Sequence, residues 1–405
     1  MTMLTLFLPC AGGVEDFLAD EVARITGCAP AKARGGAIVT DGSGADVMRL
    51  NLHSRLAQRV LIEVAHAPYR TEAELYEVAM AVPWEDWFTT RQTFKIEITS
   101  HQSPLKSLNF AALKIKDAVA DRFREKTGVR PDVEVRWPDA RVFAHLAAEA
   151  VTLYIDTSGE PLFKRGWRED KGEAPLKETL AAAMLAASGW DATVPLYDPC
   201  CGSGTIAIEA AQIACNIAPG AKRRFGFENL LVHRAGEWAS LKAEAAAAKR
   251  APAVPIFGSD VAHRMVDFAQ RNAERAGVAQ AVQLRGGDAL QRMPPCDAPA
   301  TMLLNPPYGE RIEAGGVAGA GRGGRERAQT EDGGDFFAQL AAHWKKNYAG
   351  WTAWMLTPDL KLPSRMRLKE SRRVPLWNGP IECRLFRFDM VAGSARGPDH
   401  AADRH

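Results

Sequence analysis

The chain has 405 residues, 46% of them hydrophobic and 25% charged, with a net charge of only +2. That length suits two or three domains, and the balance is that of packed globular cores. No run approaches eighteen consecutive apolar residues, which excludes a helical membrane span, and the near-neutral total gives no global sign of nucleic-acid binding.

The first residues, MTMLTLFLPC, are briefly apolar but carry no basic leader, and Glu15 and Asp16 follow at once. They read as a strand and a helix rather than a signal peptide. Seven scattered cysteines, an odd number, imply reduced thiols and a cytoplasmic setting. Only Cys200-Cys201 lie close, and His and Cys never cluster at ligand spacing, so no metal site is expected.

Residues 1–55 read as a small α/β unit: a strand at Leu4–Leu8, a helix at Val14–Ile25, a strand at Ala37–Thr40 and a short helix at Asp46–Leu52. A second unit covers 56–160. Strands are predicted at Arg59–Ala67, Phe94–Ser100, Val133–Trp137 and Ala150–Asp156, and helices at Glu72–Met80 and Asn109–Thr127. On the long helix Phe110, Leu113, Val119 and Phe123 can share one face, with Lys114, Arg122, Arg124 and Lys126 off it. Residues 91–130 hold nine Lys/Arg against four acids, and 361–373 hold six against Glu370. Such stripes can track phosphates, or simply face solvent.

From 161 to 391 strands alternate with helices, the signature of a parallel sheet. Strands are expected at Pro195–Tyr197, Pro255–Phe257, Val282–Arg285, Ala300–Leu304, Thr352–Leu356 and Glu382–Asp389, with helices at Thr205–Cys215, His263–Ala276 and Phe336–Asn347. Residues 216–252 read as an insertion, Glu313–Gly334 as a Gly-rich flexible loop, and 392–405 as a disordered tail.

Four strand ends carry the chemistry. Tyr197-Asp198-Pro199-Cys200-Cys201-Gly202-Ser203-Gly204 sits between a strand and an apolar helix, where glycines let backbone N–H groups approach a ligand. Ile206-Ala207 stand where a dinucleotide fingerprint wants its third glycine. An acid at the first strand tip instead suits a ligand with a cationic amino group, such as S-adenosylmethionine. Asp260 ends the second strand and can accept ribose hydroxyls, and Asp288 ends the third and can accept from an adenine amine. Each can also be a plain turn or helix cap. The fourth strand ends in Asn305-Pro306-Pro307-Tyr308-Gly309. An exocyclic amine on an aromatic ring is a poor nucleophile because its lone pair is delocalised. Two acceptors, the Asn305 side chain and the Pro306 carbonyl, favour the pyramidal nitrogen formed during attack. The prolines fix the backbone in advance, and Tyr308 offers a face for a flipped base.

The series DPCCGSG, GSD, GD and NPPYGER, with Lys164-Arg165-Gly166-Trp167-Arg168 and the Glu173–Thr179 stretch upstream, resembles the THUMP-carrying class I guanine-N2 RNA methyltransferases that act on bacterial 23S rRNA. The resemblance implies a ferredoxin-like N-terminal segment, a THUMP RNA-binding domain and a Rossmann-like catalytic domain with a seven-stranded mixed sheet. It further implies S-adenosylmethionine held by Asp198, Pro199, Cys200, Gly202, Gly204, Asp260, Asp288 and Thr179. The base would be held by Asn305, Pro306, Pro307 and Tyr308, and RNA contacted by Lys106, Lys114, Lys116 and Arg165. The Gly-rich 313–334 stretch is longer than the family pattern, and no second methyltransferase domain is expected after residue 390. Three alternatives stay open: methylation of another amine (a tRNA guanine, adenine N6 or a glutamine side chain), an RNA-binding assembly factor with an inactive fold, and a nicotinamide oxidoreductase that the glycine pattern disfavours.

Overall fold

The computed structural model describes residues 3–172, 175–306 and 335–391. The Gly-rich 313–334 stretch and the 392–405 tail lie outside them. The chain forms two compact units, one comprising Met1–Arg168, Lys177–Ala183 and Asn216–Arg250, the other Glu169–Leu176, Met184–Cys215 and Ala251–His405. The segment read as an insertion in the catalytic region therefore clusters with the N-terminal unit.

The first unit is built on β1 (Leu4–Pro9), β2 (Ala31–Ala33), β3 (Gly36–Gly42), β4 (Leu61–Pro68), β5 (Phe94–Ser100), β6 (Ala140–Leu146) and β7 (Ala150–Asp156). These make one sheet in the order β2-β3-β1-β4-β7-β6-β5, in which only β5 and β6 run parallel. Helices α1 (Glu15–Thr26), α2 (Gly44–His53), α3 (Glu72–Ala81) and α4 (Leu108–Thr127) complete it. The second helix starts on a capping box, with Ser43 Oγ accepting from Asp46 N and the Asp46 carboxylate accepting from Ser43 N.

Two expectations are corrected here. Val133–Trp137 is not a strand. Only Val133 makes a bridge, to Phe94, and Val133, Val135 and Trp137 are 51%, 65% and 75% exposed. The alternation is real, but no neighbouring layer covers it. The strand lies later, in β6, where Ala140, Val142, Ala144 and Leu146 alternate inward. On α4, Val119 and Phe123 are buried with Ala111, Ile115 and Ala118, while Phe110 and Leu113 point outward. Alanines fill the core face where the larger residues were expected.

The second unit has β8 (Leu196–Asp198), β9 (Ile256–Asp260), β10 (Val282–Gly286), β11 (Thr301–Leu304), β12 (Thr352–Thr357), β13 (Arg372–Asn378) and β14 (Ile381–Asp389). Their order is β10-β9-β8-β11-β12-β14-β13, with β8 to β12 parallel and β14 antiparallel to β12 and β13. This is the expected seven-stranded mixed sheet. The strand β13 went unforeseen because its sequence is basic and holds Pro375; an edge strand, paired only to β14, tolerates both. In chain order the later helices are α5 (Glu178–Ser188), α6 (Thr205–Ala214), α7 (Ala235–Ala247), α8 (His263–Ala276), α9 (Phe336–Asn347) and α10 (Leu362–Met366). One core layer joins Tyr197, Met302, Leu304, Met355 and Phe386 from the strands to Leu340 and Trp344 of α9. Among the described residues no helix is long and apolar enough to cross a membrane.

Candidate cofactor and target-base site

The strand order reverses between β8 and β11, so their carboxyl ends border the crevice where open α/β sheets hold ligands. Register fixes who meets there: Leu196 and Tyr197 lie opposite Thr301 and Met302, and Asp198 and Asn305 then follow at the adjoining tips.

The turn after β8 is bound to its neighbours through main-chain groups. Cys200 N donates to Asp198 Oδ1 at 3.1 Å, and Cys201 N donates to Ser259 O at 2.9 Å. Gly202 N donates to Asp260 Oδ2 at 2.9 Å. Gly202 and Gly204 have φ of +53° and +89°, the left-handed region that side chains with a Cβ resist. At Gly204 a Cβ would also come within 3.0 Å of Ala269 Cβ, so this position keeps α6 and α8 close. The other Asp260 oxygen accepts from Ala262 N at 3.0 Å, and Gly287 N donates to Asp260 O at 3.0 Å. At the next tip, Asp288 Oδ1 accepts from Leu290 N at 2.9 Å. Asp260, read from sequence as a ribose acceptor, fastens the glycine turn to β9.

Electrostatics gathers these acids. Burial and the charges of Asp198, Asp260 and Asp288 push the Cys200 thiol well above its ordinary range, so it is a poor nucleophile. Asp198 is fully enclosed, accepts one hydrogen bond, and meets no Lys, Arg or His among the described residues. Burial, aided by Asp260, raises its carboxyl well above the usual range. A cationic ligand group relieves that situation. This is the test of fit for an amino-acid cofactor end, and the residues pass it.

On the other side of the crevice, Pro306 is buried and the Asn305 Oδ1 atom is buried with no hydrogen-bond donor among the described residues. Pro307 and Tyr308 lie outside the described residues.

A feature the sequence reading missed supports the turn from behind. Asn272, wholly buried on α8, donates to Ser203 O at 3.0 Å and to Asp170 O at 2.8 Å. Asp170 in turn pairs with Arg271 at 2.8 Å and Arg275 at 2.6 Å, and these hydrogen bonds hold its carboxyl well below the usual range. The segment at 169–172 is thereby strapped to α8. The available signal was an Asn on the stripe Ala269, Ala273 and Ala276, where an apolar residue is expected.

The remaining expected residues belong to the first unit. Thr179 lies buried in the first turn of α5, within the other unit. Lys106 is exposed, Lys114 lies over the Phe110 ring at 5.4 Å, and Lys116 pairs with Asp117 at 2.8 Å. Arg165 is corrected: it is 1% exposed and donates to Leu162 O and Arg55 O, so its guanidinium clamps the backbone and does not face RNA. Much of the basic stripe is likewise engaged, with Arg122 on Glu85 and both Arg124 and Arg130 on Asp121. No three His, Cys, Asp or Glu among the described residues are arranged to hold a metal, and all seven cysteines are unbridged.

Comparison with family models places the RlmL ferredoxin-like domain at residues 5–61, the THUMP domain at 69–156 and the RMKL-like methyltransferase domain at 165–320. In chain order, then, a ferredoxin-like segment and a THUMP segment precede a match to a methyltransferase domain. Relatives of this chain include the protein named ribosomal RNA large subunit methyltransferase K/L in Shewanella loihica, 37% identical over 98% of this chain, and its namesake in Psychromonas ingrahamii, 36% identical over 95%. The chain spans about half the length of these curated relatives, 54% and 50% respectively. Among solved structures, the SMU.472 methyltransferase bound to S-adenosylhomocysteine matches with a TM-score of 0.82 and 27% identity, covering 96% of this chain and 99% of its own. A Listeria monocytogenes protein named as an N6-adenine-specific DNA methylase matches with a TM-score of 0.80 and 29% identity, over 95% and 96%.

Proposed function

We propose that this chain methylates the exocyclic N2 amine of a guanosine in 23S rRNA, using S-adenosylmethionine, in a cytoplasmic setting. The observation that carries the proposal is Asn305 Oδ1, a buried acceptor lacking a donor among the described residues, at the strand tip adjoining that of the enclosed carboxyl of Asp198. An amine N–H is the donor that completes the first, and an ammonium completes the second.

Asp198 and the N–H groups of the glycine turn would hold the methionyl end, Asp260 the ribose and Asp288 the adenine. Bound there, S-adenosylmethionine supplies an electrophilic methyl group on a sulfonium. Asn305 Oδ1 and the Pro306 carbonyl accept the two N–H bonds of the target amine, turning its lone pair out of conjugation and toward the methyl. Neither acceptor is charged, so the surplus proton of the methylated amine passes to solvent rather than to an enzyme base. Pro306 and the short β11 hold this geometry before the substrate arrives, which is where rate is gained. Pro307 and Tyr308 complete the base pocket in this reading, and lysines such as exposed Lys106 and half-buried Lys114 meet the RNA backbone. The resemblance and the relatives' names supply rRNA and guanine; the geometry supplies a planar amine.

The test is transfer of labelled methyl by the full chain to 23S rRNA, tRNA and duplex DNA, followed by nucleoside mass spectrometry. N2-methylguanosine in 23S rRNA is expected. N6-methyladenine in DNA would replace the substrate assignment, and label on no nucleic acid would refute the proposal.

A further inference from the structure

The cleft on the first unit bordered by Trp137 is separate from the α4 lysines and takes no part in the chemistry above. It has a volume of about 200 Å³ and joins the THUMP segment to residues 224–229, the stretch read from sequence as a catalytic-domain insertion. Small-molecule sites run to roughly 300–1,000 Å³, so the space suits a fragment of a larger ligand. Trp137 is 75% exposed, an unusual state for the largest apolar side chain.

Charge decides what the fragment is. The acids along the cleft are already engaged. Asp156 pairs with Arg59, Glu160 pairs with Arg141 and with Lys164, and Asp139 accepts from Thr93 N and Oγ1 at 2.9 and 3.0 Å. Half-buried Arg223 spends its guanidinium on the carbonyls of Pro161, Lys164, Ser158 and Glu160, which fixes the rim. Its neighbour Arg224 is exposed and has no ion pair or hydrogen bond among the described residues, and the same holds for the side chain of Arg136, next to Trp137. An open indole and an uncommitted guanidinium, Arg224, on one cleft whose acids Asp156 and Glu160 are already paired with cations, match a nucleotide: a flat base to stack and a phosphate to pair.

We infer that this cleft is a second RNA-contact site, which binds an unpaired nucleotide with its base on Trp137 and its phosphate on Arg224. A base-paired nucleotide cannot offer its face to the indole, so the site selects single-stranded segments. The inference rests on the reading of the chain as an RNA methyltransferase.

The experiment measures, with the full chain, fluorescence anisotropy of a labelled unpaired RNA oligonucleotide and of an RNA duplex of equal length. S-adenosylhomocysteine binding by calorimetry serves as the control. Trp137→Ala is expected to weaken single-strand binding about tenfold or more, with Trp137→Phe restoring most of it and duplex binding little changed. Arg224→Ala should lower the salt slope by about one counterion. Both side chains are exposed, so the variants should fold, and an unchanged melting temperature checks this. Wild-type affinity in Trp137→Ala and Arg224→Ala overturns the cleft assignment while leaving the proposed function standing. Failure of the unaltered chain to bind any RNA overturns both.

Discussion

Replacing Asn305 by Ala separates a catalytic acceptor from a structural turn. In the free protein Asn305 Oδ1 is buried without a donor among the described residues. An unsatisfied buried polar atom costs about 1–3 kcal/mol, so deleting it removes a penalty. The void left by the amide costs on the order of 1 kcal/mol in return. Asn305→Ala should therefore keep its stability within about 1 kcal/mol of the parent, or gain up to about 2. Methyl transfer should behave oppositely, because loss of one preorganised hydrogen-bonding group typically lowers kcat by roughly 10²–10³. Urea unfolding gives the first quantity, and single-turnover transfer at saturating RNA and cofactor gives the second. A variant that loses more than about 2 kcal/mol while retaining its turnover would refute the reasoning, since that pattern belongs to a turn residue.

Asn272→Ala removes the side-chain hydrogen bonds to Ser203 O and Asp170 O and from Arg275 that fasten the glycine turn and the 169–172 strap, and should cost about 2–4 kcal/mol in urea unfolding while loosening cofactor affinity in calorimetry. Gly204→Ala forces a Cβ against Ala269 in a left-handed backbone, and should lower stability by about 1–3 kcal/mol and reduce cofactor binding. Arg165→Ala should destabilise by about 3 kcal/mol yet leave the salt slope of RNA binding untouched, whereas Lys114→Ala should lower that slope by about one with little effect on unfolding. The Asp198 carboxyl is raised in the folded state, so the native protein holds a proton that the unfolded chain gives up near pH ~4. Unliganded stability should therefore fall as pH rises from there through the raised value, and the Asp198→Asn variant should lose that portion of the slope. Because a bound ammonium favours the charged carboxylate, cofactor affinity should rise over the same interval, with proton release detectable as buffer-dependent binding heat.

The strand-tip acids, the glycine turn and Asn305 were legible in the sequence because each ends a short apolar run at a fixed place in the strand series. What escaped was tertiary. The alternation of Val133, Val135 and Trp137 is indistinguishable from a strand until one asks what covers it, and nothing in this unit does. The pattern of β6 is muted by alanines, and β13 carries a proline that only an edge forgives. Arg165 looked like an RNA contact because local sequence cannot show that the Arg55 and Leu162 carbonyls converge on it. Asn272 is silent as a motif, since its partners lie 69 and 102 positions away.

The pairing of β1 with β4, through Leu6 opposite Ile62 and Phe7 opposite Leu61, changes what the first 55 residues are for. Without them β4 would be an edge strand, its outer N–H and C=O groups open to any other extended chain. The segment thus guards against self-association as well as adding a fold. A version beginning at residue 56 would retain every residue of the proposed chemistry and still be at risk of aggregating along β4.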